Sequence, residues 1–406
     1  MASLFRHRDF RLLWAGESVS QFGSQIGLVA ITLVAVRSLY ASTFEVGVLD
    51  ATSTVAFLLV GLPAGAWVDR LAKRPVMILS DLGRLVAYGS IPVAYELGGL
   101  SLLQLYVVTF LAGILTVFFD VAYQSYLPDL IGHEALVDAN SKLEVTSQLA
   151  GVGGPSLAGV LVQVIGGPLA VAVDAASFGV SALAVAGIRA PEGPRAVRTH
   201  PHLRSEIAEG LRFVFGHPIL RAVAFTTATS NLFSSMYFAV VIVFLVRTIH
   251  LSPGIIGLVL SFAGVGGVLG GLGAAALARR IGGARATILG IVFTAGILVV
   301  PGATPSNGAF LFATGSFFAG FGTVLYNVNQ VSFRQRLCPP ALLGRMNASM
   351  RFVVWGVMPI GALAGGAVGS AFGVRWALWI GAAGSPLAVG WLLASPIAGM
   401  RDFPDS

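Results

Sequence analysis

Four stretches of this chain set polar residues at helical spacing inside otherwise apolar sequence, and these residues carry what chemistry the chain has. Glu17, Gln21 and Gln25 recur every four residues, so on a helix they form one stripe. Asp120 and Gln124 repeat that spacing. A third stretch holds Thr226, Thr227, Asn231, Ser234 and Tyr237, and a fourth holds Tyr326, Asn327, Asn329 and Gln330. Carboxyls of this kind can take up and release a proton, and amides and phenols can hydrogen-bond a polar molecule. The residue types do not suit covalent or metal chemistry. The six histidines (His7, His133, His200, His202, His217, His250) fall in loops or at the ends of apolar runs, and Cys338 is the one cysteine. The reading is therefore of a non-enzyme without a metal site or an organic cofactor.

The acids are unevenly placed. Between Glu209 and Asp402 there is no Asp or Glu. A carboxylate coupled to a proton gradient must then lie in the first half, among Glu17, Asp50, Asp120, Glu144 and Asp174. Glu17 and Asp120 share stripes with amide residues and are the proton-coupling candidates. Asp50 and Asp174 are expected in solvated or helix-bonded structural roles. Asp81 and Arg84, three apart, are expected to neutralise each other along one helix.

These residues must be positioned by membrane helices. The chain of 406 residues is 56% hydrophobic and only 11% charged, against about 25% charged in ordinary soluble domains, and its mean hydropathy is +0.84. Twelve long apolar runs are expected, at 11–38, 44–69, 75–97, 101–127, 139–166, 168–189, 218–249, 253–280, 284–303, 306–336, 345–372 and 375–396. About 20 apolar residues suffice for a helix to cross the hydrocarbon core. Breakers such as Gly98, Gly166, Pro253 and Pro305 stand in the turns. Arg6, Arg8 and Arg11 before an apolar run could imitate a signal peptide. Glu17 interrupts that run, no small-residue cleavage site stands out, and the run continues to Val36, so it reads as a first membrane helix.

The expected organisation is a six-helix bundle over 1–189, a cytoplasmic linker over 190–217 and a second six-helix bundle over 218–406. The fold class is an all-α membrane protein with twelve transmembrane helices in two pseudo-symmetric halves. With the N-terminus inside, nearly all Lys and Arg fall on one side and only Arg37, Arg247 and Arg375 on the other. This bias puts both termini in the cytoplasm and makes orientation, not nucleic acid, the reason for the formal net charge of +7. In the linker, Leu203, Ile207 and Leu211 make an apolar stripe, expected to rest in the lipid headgroup layer. The halves echo each other: the stretches Leu136 to Asn140 and Leu343 to Asn347 are similar and stand 207 residues apart.

The polar stretches belong to the first and fourth helix of each three-helix repeat. Under that symmetry Glu17, Gln21, Gln25, Asp120, Gln124, Asn231, Tyr237, Tyr326, Asn327 and Gln330 converge on a central substrate cavity. The alternative is hydrogen bonding that only joins helices.

Residues 65–74 carry Gly65, Asp69, Arg70, Lys73 and Arg74 in the pattern G-x-x-x-D-R-x-G-[KR]-[KR], with Ala72 at the second glycine position. This resembles the loop between helices two and three of the major facilitator superfamily. Arg8 to Trp14 resembles the family's start. Phe119 to Asp129, Leu136 to Asn140, Gly154 to Gly159 and Gly344 to Asn347 resemble its exporter branch, which includes enterobactin and macrolide efflux proteins. Where drug/proton antiporters of the superfamily typically carry a helix-four arginine, 101–127 has none.

The resemblance implies the major facilitator fold and alternating access. It also implies gating residues: Gly65, Asp69, Arg70, Lys73 and Arg74 near Arg345 and the start of helix eleven, and Arg279 and Arg280 set against Glu144. The expected function is proton-coupled efflux of small amphipathic molecules by a monomer in the plasma or inner membrane, surrounded by lipids. A solute importer on the same fold and a lipid-handling membrane protein remain open.

Overall fold

The structure, a computed structural model, describes residues 4–68, 70–132, 135–190, 203–339 and 342–402, without the side chains of a few positions inside helices. The helices in chain order are α1 (Arg8–Leu33), α2 (Thr43–Val68), α3 (Lys73–Glu96), α4 (Leu102–Ile131), α5 (Leu136–Ile165), α6 (Gly167–Ala186), α7 (Leu203–Gly216) and α8 (Pro218–Arg247). Then follow α9 (Pro253–Ile281), α10 (Gly283–Phe293), α11 (Gly308–Leu337), α12 (Leu343–Gly356), α13 (Met358–Phe372), α14 (Val374–Leu387) and α15 (Val389–Leu393). Among the described residues, eleven helical stretches are long and apolar enough to cross a membrane. The expected ninth span is shorter: α10 tightens into a 3₁₀ turn over Thr294–Val299. There Gly296 lies so close to α11 that an added Cβ would sit 2.6 Å from Phe318 Cβ and 2.9 Å from the Gly315 carbonyl oxygen.

Local sequence explains many of the boundaries. His7 Nδ1 accepts a hydrogen bond from the Phe10 amide at 3.2 Å and caps α1. Ser101 caps α4 by accepting from the Gln104 amide at 3.3 Å. The expected eleventh span is two helices, α12 and α13, parted at Val357 just before Pro359. Gly166, between α5 and α6, and Gly373, between α13 and α14, adopt φ of 88° and 94°, a left-handed turn that a side chain would strain. They stand 207 residues apart, the offset already seen at Asn140 and Asn347.

The chain divides into two compact units. Unit 1 holds the chain up to Ala41, Thr52 through α6, and Ser252–Ser261. In it α1 packs on α5 and α6, and α3 packs on α4 and α6. The start of α9 belongs here because Gly257 meets α5: a Cβ on Gly257 would come 2.1 Å from the Pro155 carbonyl oxygen and 2.9 Å from the Gly159 Cα. Ser156 and Ser261 share a hydroxyl hydrogen bond of 2.7 Å at the same crossing.

Unit 2 holds Ser42–Ala51, α7 and α8 through Leu251, and the chain from Phe262. Here α8 packs on α13 and α14, and α10 on α11, a repeat of the unit 1 pattern. Ser42–Ala51, the start of α2, belongs to unit 2, where Gly47 meets Gly366 of α13. The linker helix α7 packs on α12 and α8 in unit 2. Val214 is fully buried with Met346 and Met350 of α12 and with Cys338, so α7 is held by protein contacts.

Candidate functional site

A cavity of about 910 Å³ opens within unit 1 between α1, α4 and α5. From α1 it is lined by Glu17, Ser18 and Gln21, and from α4 by Tyr123, Gln124, Leu127 and Pro128. From α5 come Asn140, Ser141, Glu144, Thr146 and Ser147, together with Leu136 and Leu143. Helical spacing makes these walls: Glu17 and Gln21 are one turn apart, as are Asn140 and Glu144. Trp14 Nε1 donates to Thr146 Oγ1 at 3.2 Å and joins the α1 wall to the α5 wall.

The cavity is polar and acidic. Gln21 Nε2 donates to Glu17 Oε1 at 2.7 Å, while Glu17 Oε2 is buried without a hydrogen-bond partner. Gln148 Nε2 donates to Glu144 Oε1 at 2.7 Å. Among the described residues its lining includes two carboxylates, three amides, a phenol and several hydroxyls, and no Lys, Arg or His. Such a wall suits a neutral or cationic molecule that offers hydrogen-bond donors and an apolar body.

Of the ten cavity residues expected from sequence, Glu17, Gln21 and Gln124 line this space. Asp120, one turn before Gln124, is exposed and lies outside the lining. Gln25 packs its stem on α5, where a Cβ on Gly154 would come 2.3 Å from the Gln25 Cβ. The five from the second half lie in unit 2. Asn231 Nδ2 donates to the Val354 carbonyl at 2.7 Å. Tyr237 is 1% exposed, its ring edge-on to Phe238. The Tyr326 hydroxyl bonds Thr227 Oγ1 at 2.6 Å, Gln330 is buried and Asn327 is exposed. Tyr237, Tyr326 and Gln330 are buried where their helices pack closely on α10 and α14, as the Gly290–Tyr326 and Gly381–Tyr237 approaches show.

The expected gating residues are spread over both units. Lys73 Nζ bonds Asp129 Oδ2 at 2.7 Å and the Ser125 carbonyl at 3.1 Å. Arg74 Nε donates to the Val185 carbonyl at 3.0 Å, and its Nη2 donates to Ala186. Both basic groups thus tie the start of α3 to α4 and α6 inside unit 1. Arg70, Glu144, Arg279 and Arg280 are exposed. Asp69 and the side chain of Arg345 lie outside the described residues, and Gly65 falls within α2.

Sequence reasoning missed Tyr123 and most of the α5 wall. The recurrence of Asn140, Glu144 and Ser147 along one face could have signalled it. It also placed Arg84 only beside Asp81. The fold sets the Arg84 guanidinium carbon 4.3 Å from the Phe178 ring centroid and 4.7 Å from that of Phe119, on two neighbouring helices. No cluster of metal-ligating residues occurs among the described residues.

Two bundles of repeated helix packing, with a polar cavity opening in one, define a membrane transporter of the major facilitator type. The chain belongs to the transmembrane secretion effector family of that superfamily, whose pattern matches residues 2–401. Among its relatives, the multidrug efflux pump Tap of Mycolicibacterium fortuitum is 30% identical over 367 residues, 87% of each chain. The enterobactin exporter EntS of Citrobacter koseri is 26% identical over 351 residues, 86% of this chain and 82% of that one. Among solved structures, a bacterial homologue of the iron transporter ferroportin in an inward-facing state overlays with a TM-score of 0.77, at 17% identity and over 96% of this chain and 98% of that one. A bacterial homologue of the lysosomal transporter Spinster also gives 0.77, at 13% identity and 97% coverage of each. These structures share the fold. The chain is a multi-pass membrane transporter and not an enzyme.

Proposed function

We propose that this transporter exports small amphipathic molecules, neutral or cationic, in exchange for protons, with Glu17 as the cavity group that exchanges the proton for cargo. The observation that carries this reading is the acidic cavity of unit 1, where a buried oxygen of Glu17 has no partner and, among the described residues, no basic side chain lines the wall. An unpaired carboxylate in such a place is costly to keep ionised, by about 2.5–3.5 kcal/mol on insertion scales. Either a proton or a cationic cargo removes that cost, and this competition is what couples the two. The relatives named for multidrug and enterobactin efflux support the outward direction. The distribution of Lys and Arg supports cytoplasmic termini, and we read the functional unit as a single chain.

The test is uptake and efflux of labelled amphipathic cations and neutral compounds by reconstituted protein under an imposed pH gradient. Transport from the cytoplasmic to the outer face, driven by protons moving the other way, is the expected result. Concentration toward the cytoplasmic face would overturn the export reading. Glu17→Gln should keep cargo-for-cargo exchange and lose the response to the gradient; an unchanged gradient response would remove Glu17 from its role.

A further inference from the structure

Behind the cavity, unit 1 seals a second group of charges between α3 and α6. Arg84 Nη2 and Asp81 Oδ1 are 2.5 Å apart, and the Asp81 side chain is wholly buried. Arg84 Nη1 reaches Thr116 Oγ1 of α4 at 3.4 Å. The guanidinium lies over Phe178, one helical turn from Asp174. Tyr88, one turn beyond Arg84, stacks on the same Phe178 ring at 5.7 Å.

Asp174 is 1% exposed and is closed off by α1. A Cβ on Gly27 would come 1.9 Å from Asp174 Oδ2, and one on Gly23 would come 3.0 Å from Oδ1. The carboxylate nonetheless has a weak set of partners. The Ser177 hydroxyl gives its short bond, 2.7 Å, to the Asp174 backbone carbonyl and stands 3.5 Å from Oδ1. Meanwhile Arg84 Nε is buried without a hydrogen-bond partner, and Ser181 of α6 stands beside Asp81. The groups facing Asp174 are therefore Arg84 and Tyr88 from α3 and Ser177 from α6, with Gly23 and Gly27 on α1. Glu17 on α1 also lies within electrostatic reach of Arg84 and Asp81, and Asp120 on α4 within reach of Glu17.

Of the two buried carboxylates, Asp81 is paired with Arg84 and Asp174 lies within that guanidinium's electrostatic reach. An ion pair balances one of them, and an unpaired buried carboxylate is strongly disfavoured. We propose that Asp81, Arg84 and Asp174 form a second proton-holding site, in which Asp174 carries the proton while Arg84 pairs with Asp81. The orphaned Nε and the position over Phe178 leave Arg84 able to turn toward Asp174. The acid that loses the ion pair then holds the one proton, and the other releases it. For its part in transport, the site rests on the proton-coupled reading above; its protonation does not.

The test is infrared spectroscopy of the full-length protein in lipid at neutral pH, reading the carbonyl stretch of protonated carboxyls. Wild type should show a band that Asp174→Asn removes. Asp81→Asn should remove it too, although Asp174 is still present, because Arg84 is then free to pair with Asp174 and ionise it. The band should survive Glu17→Gln. A spectrum unchanged by Asp174→Asn, or a band that persists in Asp81→Asn, overturns the proposal. In transport, Asp174→Asn should retain cargo exchange while its response to the pH gradient falls tenfold or more. A wild type that ignores the gradient would overturn the proton-coupled function and leave the infrared result to decide this site.

Discussion

At the scale of single residues, the membrane interior of unit 1 concentrates its charge on a few groups whose partners set their cost. Arg84 and Asp81 are a buried ion pair. Removing one partner of such a pair leaves an uncompensated charge, at a cost of about 3–5 kcal/mol, whereas removing both is close to neutral. Arg84→Met should therefore lower the melting temperature of the purified protein sharply. Adding Asp81→Asn to it should restore most of the loss in a double-mutant cycle. Cys338, beyond the end of α11, is 5% exposed, and burial pushes its thiol above the usual range. Less thiolate and little access both slow alkylation. Maleimide should label the native protein slowly at pH 7 and quickly only after unfolding. The stripe of Glu17 and Gln21, with Gln124, was legible in the sequence because polar residues at four-residue spacing stand out against an apolar background. Tyr123 and Thr146 were not, because neither type is unusual near the end of a membrane helix.

At the scale of elements, close helix crossings replace the hydrophobic drive that lipid removes. Gly159 and Gly257 bring α5 and the start of α9 into backbone contact, and the Ser156–Ser261 hydroxyl bond lies beside them. Gly257→Val must push α9 away from Pro155 and Gly159. It should reduce transport by an order of magnitude with normal membrane insertion, as checked by transport assay and surface labelling, while Gly273→Ala, where an added Cβ meets nothing within 4 Å, should be tolerated. Lys73 and Arg74 illustrate a different limit of sequence reasoning. Their motif pointed to a gate, and the structure shows both side chains also fastening α3 to α4 and α6. A motif specifies residue types, while the direction of a long basic side chain depends on which carbonyls and carboxylates the fold brings within reach.

At the scale of the whole molecule, the repeated packing of α1 on α6 and of α8 on α14 matches the internal symmetry read from the chain. Asp69→Asn should leave the protein inserted and folded but impair transport, since the motif around it is expected to control the inner face; transport at the wild-type rate would dismiss that role. In a Cys338→Ser background, Gln124→Cys should react with a water-soluble thiol reagent, and bulky amphipathic cations should slow the reaction, because Gln124 lines the acidic cavity. Protection by anionic compounds instead would reverse the charge preference proposed for the cargo.

The sequence by itself determined the membrane class, the repeated halves, the absence of acids between Glu209 and Asp402 and the family. All four follow from hydropathy, periodicity and short motifs, which are properties of neighbouring residues. Only the tertiary structure decided which polar residues share a cavity, which are buried in helix contacts and which carboxylates compete for Arg84. Those outcomes depend on how helices far apart in the chain are rotated and pressed together. The glycine contacts of α1, α5 and α9 that set this rotation act through backbone distances of a few ångströms, and no pattern along the chain records them.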